Sequence, residues 1–87
     1  MTAVIFTSRE DCNLYIGNLP NLATGEMLTE LFSNYGKVIK VAIDKKLEIA
    51  MIQMSNSIEG AKALKKLDGF QFAGRTICVS EDPEGIL

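Results

Sequence analysis

Tyr15 stands in the run Asn13-Leu14-Tyr15-Ile16-Gly17, one of only two tyrosines in the chain. Its ring offers a flat π-face on which another planar group can stack. Ile49 and Met51 bring apolar, polarizable surface without a π-face. Asn18, Gln53, Thr76 and Ser80 carry hydrogen-bonding groups, and Lys40, Lys45, Lys46 and Arg75 carry cations that suit an anionic ligand. This is the chemistry of recognition by contact. The chemistry of bond making is missing. There is no histidine, so the commonest general base is absent, and no Ser or Cys has a partner at a recognisable spacing. The carboxylates are scattered, and neither a phosphate-cradling glycine loop nor a metal-ligand cluster occurs. No catalytic residue, metal ligand, cofactor or small-molecule substrate is therefore assigned.

The elements that must position these residues follow from periodicity. Asn13–Gly17 alternates apolar and polar sides and reads as a strand. Thr24 is placed to cap a helix with apolar positions Leu28, Leu31, Phe32 and Tyr35, and Gly36 stands where a left-handed residue ends helices. Val38–Asp44 is β-branched and reads as a second strand, Lys45-Lys46 as a turn, and Leu47–Met54 as a third strand. Ser57 is the expected cap of a second helix with the stripe Gly60, Ala63, Leu64 and Leu67. Lys62, Lys65 and Lys66 take its solvated side, and Gly69 ends it. Phe72 and Gly74 lead into the fourth strand, Arg75–Ser80, with Ile77 and Val79 inward. The order βαββαβ, with one apolar stripe per helix, puts both helices on one side of the sheet. Right-handed crossovers then give an α+β, ferredoxin-like sandwich with a four-stranded antiparallel sheet in the order 4-1-3-2.

The other side of that sheet has no helix. Period two assigns to it Tyr15; Lys40 and Ala42; Leu47, Ile49, Met51 and Gln53; and Thr76, Cys78 and Ser80. Glu48, Ala50, Ile52 and Met54 then face the helices. The third strand is apolar on both sides, so something is expected to cover the bare one.

Eighty-seven residues suffice for a single core. The expected division is an N-terminal extension over 1–12, one domain over 13–80 and an acidic tail over 81–87. Net charge is −2 and the pI about 5.0, which counts against a protein that grips duplex backbone electrostatically. Five of the 11 acidic residues, Glu10, Asp11, Glu81, Asp82 and Glu84, lie near the ends. The remaining six face nine basic residues, so the middle is mildly basic. The opening run lacks the features of a secretory signal, and no apolar run approaches the roughly 20 residues needed to cross a bilayer. The two cysteines, Cys12 and Cys78, are expected to be reduced thiols of an intracellular protein.

Leu14-Tyr15-Ile16-Gly17-Asn18-Leu19 resembles the shorter ribonucleoprotein motif of the RNA recognition motif family at every defined position. In the longer motif, Leu47 to Met54, Ala50 and Ile52 fit, while Ile49, Met51 and Met54 stand where aromatics are usual. Leu28-x-x-Leu31-Phe32-x-x-Tyr35-Gly36, Leu67-Asp68-Gly69 and Gly74-Arg75 are also similar to the family, so the resemblance spans 13–80. The third strand, without aromatic stackers, is locally similar to domains of the polypyrimidine-tract-binding protein group. The resemblance implies a ribonucleoprotein component that binds short single-stranded RNA with modest affinity, with pyrimidines preferred. It also implies a nuclear rather than cytoplasmic place, in mRNA processing. The expected RNA contacts are Tyr15, Asn18, Lys40, Lys45, Lys46, Ile49, Met51, Gln53, Arg75, Thr76 and Ser80. The alternative is a protein-interaction module whose apolar face meets another protein or a further domain of its kind, with Ala3–Phe6 as a candidate lid. A peptide-binding variant class carries Arg-x-Phe before the fourth strand; Arg75-Thr76-Ile77 lacks that Phe.

Overall fold

The computed structural model describes residues 12–81. The expected extension before Cys12, the lid over Ala3–Phe6 and the tail beyond Glu81 lie outside the described residues. The elements run β1 (Cys12–Gly17), α1 (Gly25–Ser33), β2 (Val38–Asp44), β3 (Ile49–Met54), α2 (Ser57–Leu67), β4 (Gln71–Phe72), β5 (Arg75–Thr76) and β6 (Cys78–Glu81). The main sheet has the order β2-β3-β1-β6, with every pair antiparallel. This is the expected ferredoxin-like sandwich, with β6 as the fourth strand.

Alternation along the strands decides which side is core. Leu14 and Ile16 of β1, Ala50, Ile52 and Met54 of β3, and Val79 of β6 are buried, whereas their neighbours are half-buried or exposed. Against this side α1 presents Leu28 and Phe32, and α2 presents Ala63 and Leu67, all buried. Cys12 is buried as well. It lies where α2 comes so close that a Cβ on Gly60 would strike its sulfur. Burial, with a smaller contribution from the Glu81 charge, pushes the Cys12 thiol above its ordinary value, which disfavours the reactive thiolate.

Local chemistry sets the ends of the helices. Thr24 caps α1, its Oγ1 accepting from Met27 N at 3.1 Å. At α2 the cap is Asn56 rather than Ser57: Asn56 Oδ1 accepts from Glu59 N at 2.8 Å, and Ser57 becomes the first helical residue. Gly69, at φ +84°, ends α2 in the left-handed conformation. Gly36 differs from expectation. It is not left-handed, and its lack of a side chain instead admits the Glu59 carboxylate, which accepts from Lys37 N at 3.1 Å.

Three further departures shape the sheet. The turn after β2 is longer than Lys45-Lys46 and includes Leu47 and Glu48, so β3 begins at Ile49. Glu48 adopts φ +61°, which no strand residue does, and its carbonyl accepts from Leu19 N at 2.9 Å. The fourth strand is split: Arg75 and Thr76 pair with Phe72 and Gln71 in a separate hairpin, and only Cys78–Glu81 joins the main sheet. Ala73 and Gly74 form that hairpin's turn, both at positive φ, as two-residue turns matched to strand twist require. Finally, the β2–β3 register shifts between Val38 and Lys40, a bulge that leaves Ile39 exposed on the outermost strand.

Candidate nucleic-acid interface

Strand register fixes the neighbours on the open side. Ala42 pairs with Met51, Met51 with Tyr15, and Tyr15 with Ser80, so these four form one row across all four strands. Lys40, Gln53 and Asn13 form the next row. On the other side of Tyr15, Asp44 pairs with Ile49, and Gly17 with Cys78. A Cβ on Gly17 would lie 3.9 Å from Tyr15 Cε2. The ring therefore leans along β1 over the glycine and is half-buried, with an apolar neighbour at Met51. Ile49, Met51 and Gln53 are likewise half-buried, and Ser80 is exposed.

The expected residues separate into two groups. Tyr15, Lys40, Ile49, Met51, Gln53 and Ser80 share the open side, and Lys45 and Lys46 are exposed in the turn at its edge. None of the three lysines forms an ion pair among the described residues. Asn18, Arg75 and Thr76 are instead bonded together at one end of the sheet. Asn18, at φ +57°, donates from Nδ2 to the Thr76 carbonyl at 2.9 Å. Thr76 Oγ1 donates to Gln71 Oε1 at 2.9 Å. Arg75 Nη1 donates to the Leu19 carbonyl at 3.2 Å and to Asn18 Oδ1 at 3.5 Å, and pairs with Glu48 Oε1 at 3.1 Å.

Such a partly exposed ion pair adds little stability. Its effect is geometric, tying the loop after β1 to the turn before β3 and to the β4–β5 hairpin. The Arg75 guanidinium is thus engaged within the protein through Nη1 and remains partly exposed. Thr76 belongs to the hairpin rather than to the open row.

One feature of the site escaped the sequence reading. Beside the Ala42–Met51–Tyr15 row lies a hollow of about 360 Å³, lined by Ala42, Asp44, Leu47, Ile49 and Met51. Asp44 Oδ1 accepts from Leu47 N at 3.1 Å, the side-chain turn that Asp makes at the start of a reversal. Leu47, exposed in that turn, lines the hollow together with Ile49 and Met51 of β3. The run Asp44-Lys45-Lys46-Leu47 carried the signal, an Asp three residues ahead of the residue whose N–H it accepts. Among the described residues there is no cluster of side chains able to hold a metal ion, and no helix is long and apolar enough to cross a membrane.

An antiparallel sheet with two helices on one side and a mixed stacking and hydrogen-bonding surface on the other defines an open-faced binding module. The model of the RNA recognition motif matches residues 14–78. The chain belongs to the RNA recognition motif family, a family of binding domains, and is not an enzyme. It is 36% identical over 86 residues to a 33 kDa chloroplastic ribonucleoprotein of Nicotiana sylvestris, covering 90% of this chain and 26% of that protein. The chain thus spans about a quarter of that relative's length. It is 31% identical to the Nostoc protein RbpE, covering 79% of this chain and 76% of RbpE. Among solved structures, the C. elegans NONO-1 homodimer superposes with TM-score 0.79 at 31% identity, covering 88% of this chain and 30% of that one.

Proposed function

We propose that this domain binds short single-stranded RNA on the open side of its sheet, with Tyr15 as its stacking platform. The observation that carries the reading is the central position of Tyr15, half-buried beside Met51 and Ser80 in the row that crosses the sheet. The family description and the name of the Nicotiana relative support it. Ile49 and Met51 give bases an aliphatic surface, Gln53 and Ser80 meet base edges, and Lys40, Lys45 and Lys46 meet phosphates. Asn18, Arg75 and Thr76 act by holding the loops that frame the surface. Affinity is modest because only one aromatic stacks, and the narrow platform suits pyrimidines. The expected nuclear place in mRNA processing draws no support from the relatives, whose Nicotiana member is chloroplastic by name.

Tyr15→Ala is expected to weaken binding to a short RNA roughly ten-fold, as the loss of one stacked base implies, while the thermal transition stays close to the parent's. Unchanged affinity in a fully folded variant would remove Tyr15 from the platform. Salt dependence gives a second test. With two or three lysines on phosphate, log K should fall against log salt with a slope of about −1.4 to −2.1 for a single strand. A slope near zero in a titration series would take all three lysines off the RNA.

The second reading is a protein-binding surface, favoured by the aliphatic character of Ile49 and Met51. On that reading Tyr15→Ala leaves RNA affinity negligible before and after.

A further inference from the structure

Resting on the RNA reading, we infer that the hollow between the end of β2, the following turn and β3 is a base subsite. It takes a base with an exocyclic amino group, cytosine rather than uracil among pyrimidines, and the Asp44 carboxylate is the discriminating group.

The walls are apolar: Ala42, Leu47, Ile49 and Met51 line the hollow, and Asp44 is the one polar side chain among its lining residues. A planar ring entering it leaves water on one side and meets hydrocarbon on the other. Any polar edge turned inward must then find a partner or lose its hydration uncompensated. Asp44 supplies that partner. An ionised carboxylate only accepts hydrogen bonds. Cytosine offers the N4 amino donor at the edge where uracil carries the O4 acceptor. One base gains a charge-assisted hydrogen bond there, and the other meets oxygen against oxygen.

Two structural facts place this chemistry where RNA would use it. Asp44 Oδ1 accepts from Leu47 N at 3.1 Å, so the turn itself aims the carboxylate. Met51, a wall of the hollow, is the cross-strand partner of Tyr15. Directly paired residues stand about 4.5–5.5 Å apart at Cβ, so a base on Tyr15 and a base in the hollow are neighbours along one strand.

Short oligocytidine and oligouridine of equal length, titrated separately into the protein, test the inference. The parent is expected to bind oligocytidine more tightly by roughly ten-fold, the effect of one charge-assisted bond exchanged for a repulsion. In Asp44→Asn the carboxamide oxygen still accepts from Leu47 N, so the turn survives, while the amide N–H₂ now donates toward O4. The preference should fall to about one or reverse, with amide spectra confirming the fold. Tyr15→Ala should weaken both ligands while the ratio persists. If the parent binds both RNAs equally, the subsite is overturned and RNA binding stands. If the ratio survives in Asp44→Asn, Asp44 is not the discriminator and the inference fails. If neither RNA binds the parent, the reading beneath it fails too.

Discussion

Replacing Phe32 by alanine is expected to cost about 3–5 kcal/mol of folding stability, the range for deleting a buried aromatic. Phe32 is fully buried on the face of α1 that meets the sheet, beside the equally buried Leu28. Removing the ring forfeits its transfer free energy and leaves a void that rigid neighbours fill only in part. A domain of this size has only about 5–10 kcal/mol in total, so the variant should approach half-unfolded conditions near its working temperature. Urea titration followed by circular dichroism reads the effect directly. A variant within about 1 kcal/mol of the parent would mean that α1 is rotated and the ring is not in the core.

The double substitution Ile49→Phe with Met51→Phe is expected to raise affinity for single-stranded RNA. Each new ring contributes up to about 1–3 kcal/mol if a base stacks on it, so one productive stack is already roughly ten-fold. At the centre of the sheet there is room for a ring. Position 51 lies between Ala42, which is small, and Tyr15, whose ring leans away toward Gly17. Both side chains point away from the helices, so stability should change little. If the open side meets a protein instead, RNA affinity stays negligible and sedimentation reveals altered self-association. That result would replace the RNA reading with the interaction module.

What the sequence disclosed was whatever depends on local periodicity. The two helical stripes, the alternation in β1 and β3, the Thr24 cap and the left-handed Gly69 all follow from residues within a few positions of one another. What it concealed depends on contacts across the chain. Glu48 has ordinary strand neighbours, yet bonding of its carbonyl to Leu19 N–H accompanies a left-handed backbone there. Arg75 and Thr76 continue a period-two run, and only the positive φ at Ala73 and Gly74 folds them into a hairpin of their own. Gly36 looked like a helix stop, but its role is set by Glu59, 23 residues onward. The candidate site was legible to the same extent. Side-chain parity found the open row, whereas engagement of Arg75 by Glu48 and Leu19, and the orientation of Asp44, required the fold.

The bulge in β2 bears on how such domains coexist at high concentration. An outermost strand carries unpaired N–H and C=O groups that invite a strand from another molecule, the route to aggregation. Between Val38 and Lys40 the regular two-residue rhythm is broken. A second strand laid along this edge would lose register partway and could not zip through. Lys37 and Lys40, both exposed on either side of the irregularity, would bring like charges together in an antiparallel pairing of two copies centred on it. The exposed Ile39 thus sits at a place where edge-to-edge growth is frustrated, and the bulge serves as a guard on the sheet's open margin.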